Sequence, residues 1–109
     1  MTRYAYAYEK LLGAVEIMAT GRGSRPERLA RATHRHLFKI RHQKANRLPY
    51  ELAAQLTGLV TELTAIAPPT QWGNAIDATA THMSWQKAER LSGQLFGLFL
   101  AVSELRKAA

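Results

Sequence analysis

Residues 22–47 read RGSRPERLARATHRHLFKIRHQKANR, and how this stretch folds decides what the rest of the chain is arranged around. Ser24 followed by Arg25, Pro26 and Glu27 is a helix start. The serine oxygen accepts from an otherwise unpaired amide of the first turn, proline at the first helical position loses no hydrogen bond, and Glu27 reaches back to the serine amide. Projected at about 100° per residue, Leu29, Thr33, Leu37 and Ile40 fall on one side, and Arg28, Arg31, Arg35, Lys39 and His42 on the other. The stretch therefore predicts a helix that ends near His42 or Gln43, with an apolar underside and a cationic ridge. Carried further, the helix would turn Lys44 and Arg47 onto the apolar side, so Lys44 to Leu48 reads as a polar connection.

The charge is as uneven as the pattern. Arg22, Arg25, Arg28, Arg31, Arg35, Lys39, Arg41, Lys44 and Arg47 face a single acid, Glu27, which gives this segment a net +8; the rest of the chain carries −1, and the protein +7. A field concentrated in this way draws in and steers polyanions, whereas the same charge scattered over the surface mainly confers solubility. The expected partner is nucleic acid, DNA or RNA, held through its backbone without sequence readout, or else an acidic protein surface. The candidate binding residues are these nine cations together with His42. His34, His36 and His42 would add charge below about pH 6.5.

Outward from this segment the helical pattern continues on both sides. Tyr4, Tyr8, Leu11, Val15 and Met18 are spaced as one buried stripe, which predicts a first helix from about Arg3 to Thr20, with Tyr6 more exposed. The glycine after its last periodic residue, Gly21, is expected to take a left-handed C-cap, with Arg22 and Gly23 completing the stop. Leu52, Leu56, Leu59, Leu63 and Ile66 repeat the spacing behind Pro49 and predict a third helix over Pro49–Ala65, closed by Pro68 and Pro69. Asn74 to Thr81 is compatible with a short extra helix. Ser84 then caps a long final one over Trp85–Lys107.

That final helix is apolar over more than half of its circumference. Ala88, Leu91, Leu95, Leu98, Val102 and Leu105 form one stripe; Trp85, Phe96, Phe99 and Leu100 widen it, and Gly93 and Gly97 add small residues along one edge. A surface helix needs a narrower stripe. Either this helix runs through the middle of the domain, or Trp85, Gly93, Phe96, Gly97, Phe99 and Leu100 form an interface with a second chain, in a homo- or hetero-oligomer. Taken together the elements predict a single all-α domain over residues 1–109, an up-and-down bundle of four main helices with room for one short extra helix.

Composition narrows the chemistry. With 109 residues and no cysteine, the chain is one small domain without disulfides, thiolate zinc sites or a cysteine nucleophile. No run has the length or apolarity of a signal peptide core or a membrane span, so a cytoplasmic, non-membrane protein is the expectation. His34 and His36, two apart on a helix, point in different directions, and neither has a carboxylate at ligand spacing, so no metal, cofactor or catalytic residue is assigned. A helix-turn-helix does not fit either, since the third helix offers mainly Glu51, Gln55 and Glu62 where base-reading side chains belong. One enzymatic pattern is met formally: Arg28 to His34, Arg31 to His36 and Arg35 to His42 match the Arg-x4–6-His spacing of HEPN-type ribonucleases, although Ala32 stands where a polar residue often follows the arginine. The three matches in one window reflect its arginine and histidine content, and an HEPN-like ribonuclease ranks third, behind a non-enzymatic polyanion binder in a larger assembly and an interaction or subunit module working through the last helix.

Short landmarks carry a resemblance along most of the chain: Tyr8-Glu9-Lys10-Leu11, Met18-Ala19-Thr20-Gly21, Glu27-Arg28-Leu29-Ala30, Leu48-Pro49-Tyr50-Glu51-Leu52, Leu63-Thr64, Ala78-Thr79 and Met83-Ser84. In their order the chain resembles a group of small uncharacterised all-helical bacterial proteins. The resemblance implies a helical bundle and no particular activity. Such relatives are less basic between the first and third helices, which implies that the cationic ridge belongs to this protein's own task.

Overall fold

The computed structural model describes residues 4–42 and 48–108, and among them every regular element is helical. The elements in chain order are α1 (Ala5–Thr20), α2 (Arg25–Ala32), a π-helical turn (Thr33–Leu37), α3 (Phe38–His42), α4 (Tyr50–Leu63), α5 (Ala75–Thr81) and α6 (Trp85–Ala108). The segment from α2 through α3 is one continuous basic helix with a wide turn in its middle. None of the described helices is long and apolar enough to cross a membrane. The side chains of Arg41 and His42, and all of residues 43–47 with Lys44 and Arg47, lie outside the described residues.

Ser24 caps α2 as its sequence requires: its Oγ accepts from the Glu27 amide at 3.2 Å, and the Ser24 amide donates to Glu27 Oε1 at 3.3 Å. The wide turn explains how the underside stays in line. On a straight α-helix each four-residue step rotates by about 40°, so Leu29, Thr33 and Leu37 would drift apart. A turn that closes one residue later takes up that rotation, and Leu29, Thr33, Leu37 and Ile40 are all fully buried. The Thr33 hydroxyl is satisfied locally, donating to the Leu29 carbonyl at 2.7 Å, a bond that also loosens the helix ladder at that point.

One core joins Leu11 and Met18 of α1, Leu29, Leu37 and Ile40 of the basic helix, Leu56, Leu59, Val60 and Leu63 of α4, and Leu91, Leu95, Leu98 and Val102 of α6. On α1 the buried line is Ala7, Leu11, Ala14 and Met18, while Tyr4, Tyr8 and Val15 flank it half-buried, and Tyr6 is half-buried as well. The expected tyrosine stripe is thus rotated, because the small alanines let neighbouring helices approach and the rings pack at the edges. Helix α4 stops at Leu63, and Ile66, expected on its stripe, lies beyond it at the surface.

The connection from α1 to α2 also differs from expectation. Gly21 is extended, and Gly23 carries the positive φ, 92°, that glycine tolerates. Gly21 is needed for another reason: a Cβ there would collide with the Ile17 carbonyl and stand 3.1 Å from Arg31 Nη1. Helix α5 is capped by Asn74, whose Oδ1 accepts from the Asp77 amide at 2.8 Å, and it packs on α2. Buried Thr79 ties the proline-containing loop down, its hydroxyl accepting from the Ile66 amide at 2.9 Å.

Candidate functional site

The four-residue ridge expected on the basic helix divides into two parts. Arg28 is half-buried and turns back onto the end of α1, its Nη1 donating to the Met18 carbonyl at 2.6 Å, with a longer 3.5 Å contact from Nε to the Ser24 carbonyl. Met18 is near the last turn of α1, where carbonyls lack helical partners, so Arg28 caps that helix. Arg31, also half-buried, donates to the Arg22 carbonyl at 3.2 Å with one of its five donors. Arg35 and Lys39 are exposed, as is Arg22, whereas Arg25 is half-buried.

These cations stand at three- and four-residue spacing with no carboxylate in an ion pair with any of them among the described residues. Among the described residues the ion pairs are Arg90 with Glu62 at 2.8 Å and Lys107 with Glu104 at 3.7 Å, and His34 Nε2 lies at hydrogen-bond distance, 3.2 Å, from Asp77 Oδ1. Elsewhere, Arg106 lies over the Tyr8 ring at 4.2 Å and Lys10 over the Tyr6 ring at 5.7 Å. No described arginine or lysine of the basic helix is paired with a carboxylate. The one acid in the segment, Glu27, is held below the usual carboxylate pKa, first by the hydrogen bonds from the Ser24 backbone and side chain and then by Arg31, and it serves the cap.

The histidines take separate roles. His34 is exposed and meets a carboxylate that its own helix does not supply, Asp77 of α5, which is itself oriented by Asn74 Nδ2 at 2.8 Å. His36 lies against α1, where a Cβ on Gly13 would come within 2.5 Å of its ring. Its Nδ1 is buried without a hydrogen-bond partner among the described residues. Burial lowers its pKa, with Lys10, Lys39 and Arg35 adding to the effect and Glu16 opposing it. His36 is therefore a packing group that takes up a proton at lower pH than an ordinary histidine, and it joins the cationic surface only below the range its sequence reading gives. No group of three metal-ligating side chains occurs among the described residues.

Two clefts flank the exposed cations. A groove of about 770 Å³ runs between α2 and α5, with Arg31, His34 and Arg35 on one wall and Asp77, Thr81 and Met83 on the other. A second, of about 410 Å³, lies between α1 and the basic helix and is lined by Glu16, Thr20, Arg31, Arg35 and His36. Arg31 and Arg35 form the crest between them. As for the Arg-x4–6-His spacings, Arg28 is directed to Met18 while His34 is directed to Asp77, Arg31 and His36 share the second cleft, and the His42 side chain lies outside the described residues.

The second candidate surface is partly as expected. Trp85 is 65% exposed, Leu100 62% and Phe96 37%, and the Cβ positions of exposed Gly93 and Gly97 face open space. Phe99 is different: it is half-buried and stacks on Tyr8 with centroids 5.6 Å apart, so it belongs to the packing of α6 on α1. Comparison with protein-family models, curated proteins and solved structures finds no match to this chain. Function has to be argued from the residues themselves.

Proposed function

We propose that this chain is a non-enzymatic, cytoplasmic binder of a phosphate-bearing polyanion, a nucleic-acid backbone foremost, and that it works within a larger assembly. In this reading the basic helix is one member of an up-and-down bundle of four main helices and presents its outer side to the ligand. The observation that carries it is the density of unneutralised charge: the described cations of the basic helix follow one another at three- and four-residue spacing, and none has a carboxylate within pairing distance. Arg22, Arg31, Arg35 and Lys39 are the phosphate contacts, and Arg28 is reassigned to holding α1. From Arg31 to Lys39 the helix rises about 12 Å, enough to meet several phosphates of one strand, which follow at about 3.4 Å along a duplex axis.

Such contacts confer affinity and register without reading bases. They place no demand on the fold beyond a rigid platform, and the fully buried Leu29, Leu37 and Ile40 supply it. Fluorescence anisotropy with labelled single- and double-stranded oligonucleotides tests the proposal, with poly-glutamate as competitor. Displacement by poly-glutamate at equal charge concentration would instead assign the surface to an acidic protein.

A further inference from the structure

The groove between α2 and α5 has two walls of opposite hydrogen-bonding character. Its α2 side carries the guanidinium groups of Arg31 and Arg35, which only donate. On the α5 side, the capacity left over is for accepting. Asp77 Oδ2 accepts from Asn74 Nδ2 at 2.8 Å and Oδ1 lies 3.2 Å from His34 Nε2, so each carboxylate oxygen is held by one partner. Its side chain is nevertheless 62% exposed, and about two of its roughly four lone-pair sites stay free. Exposed Thr81 gives its one hydroxyl hydrogen to the Asp77 carbonyl at 2.9 Å, which leaves the oxygen as an acceptor. Glu27, the other acid lining the groove, is closed into the Ser24 cap. The chain's two tryptophans stand beyond the two ends of α5. Trp72 precedes the capping Asn74 by two residues and is 87% exposed; Trp85 follows Met83 of the groove by two and is 65% exposed.

We infer that this groove selects a single strand of RNA, with phosphates on Arg31 and Arg35, 2′-hydroxyls donating to Asp77 and Thr81, and unpaired bases stacked on Trp72 and Trp85. The inference rests on the polyanion reading above and names its ligand. A wall of acceptors calls for donors. The backbone of a DNA strand has none, so Asp77 would meet it only as a like charge, whereas every ribose brings a hydroxyl that makes a charge-assisted bond to the carboxylate. Amino groups of bases also donate, but their number and place change with sequence, while the hydroxyl recurs at each nucleotide. The tryptophans decide against a duplex as the ligand: base stacking on an aromatic ring is indifferent to sequence, and it needs a base whose face is free.

Fluorescence anisotropy at 50 mM salt tests it, with a labelled RNA strand, the DNA and 2′-O-methyl strands of the same sequence, and the RNA duplex. The wild type should bind the RNA strand at least about fivefold tighter than the DNA or 2′-O-methyl strand. Asp77→Ala removes a charge and so strengthens both RNA and DNA binding, but the ratio of the two should fall to within about twofold. The α5 cap survives this change, because it is the Asp77 amide that meets Asn74 Oδ1. Thr81→Val, at an exposed position, should lower the ratio in the same direction. Trp72→Ala and Trp85→Ala should each weaken the RNA strand about fivefold or more and leave the duplex unchanged. Equal affinity for RNA and DNA in the wild type, a ratio unmoved by both Asp77→Ala and Thr81→Val, or an RNA affinity unmoved by both tryptophan variants overturns the inference and leaves phosphate binding intact. No binding of any strand removes the polyanion reading, and the inference with it.

Discussion

Replacing Arg28 with methionine separates the structural part of the basic helix from its exposed part. Methionine keeps much of the aliphatic stem but removes the guanidinium, leaving the Met18 carbonyl without its 2.6 Å donor. A hydrogen bond to a charged group contributes about 1.5–3 kcal/mol, and a cation beside a helix C-terminus roughly 0.3–1 kcal/mol more. Arg28 is only half-buried, so water replaces part of both, and a loss of about 1.5 kcal/mol is expected. At roughly 4–8 °C per kcal/mol for a domain near this size, the melting temperature should fall by about 6–12 °C. Thermal denaturation followed by circular dichroism measures this, and oligonucleotide affinity at 50 mM salt should stay within about twofold of wild type. A melting temperature within about 2 °C of wild type, together with a clear loss of affinity, would refute the assignment of Arg28 to the end of α1.

Other perturbations probe the remaining elements. Arg35→Ser combined with Lys39→Ser should leave the melting temperature nearly unchanged, because both side chains are exposed, while weakening oligonucleotide binding and flattening its salt dependence. Thr79→Val leaves the Ile66 amide without its acceptor and should cost about 1–3 kcal/mol in urea denaturation. Gly13→Ala forces the His36 ring off α1, and since alanine itself favours a helix interior by about 0.5–1 kcal/mol, a net loss of no more than about 2 kcal/mol is expected in the same assay. The folded-state pKa of His36 lies below its ordinary 6.5, so the stability from its neutral form is complete above pH 6.5 and is lost as pH falls through the lower folded value. His36→Gln should flatten the stability profile below pH 6.5, as read by denaturation midpoints at half-unit pH steps.

Much of the architecture is legible in apolar spacing and helix punctuation. The Ser24 capping box, the proline stop after α4 and the buried run of Leu29, Thr33, Leu37 and Ile40 follow from short-range rules, because each depends on residues within a turn or two. The π turn does not, since a fixed helical period cannot show where one extra residue is taken up. Arg28 looks like any other ridge cation in sequence, and only the arrival of the α1 terminus gives it a carbonyl to hold. The same holds for His34, whose carboxylate comes from α5 forty-three residues away. On α1 the spacing fits both Tyr8 and Val15 and the alanines one residue before them, and close helix approach decides for Ala7 and Ala14. The breadth of the apolar arc on α6 was readable, but its division was not: Phe99 turns inward to Tyr8, while Phe96 and Leu100 remain outside.

The central claim is that cations on the basic helix and just before it, left without carboxylates, are there to neutralise phosphates, and counterion release measures that number. With Arg22, Arg31, Arg35 and Lys39 engaged, the logarithm of the association constant for a single-stranded oligonucleotide should fall with the logarithm of salt at a slope of about −2.8. That slope weakens binding roughly fifty-fold between 50 and 200 mM salt. A slope near zero, or no detectable binding at the lowest salt, would contradict the account.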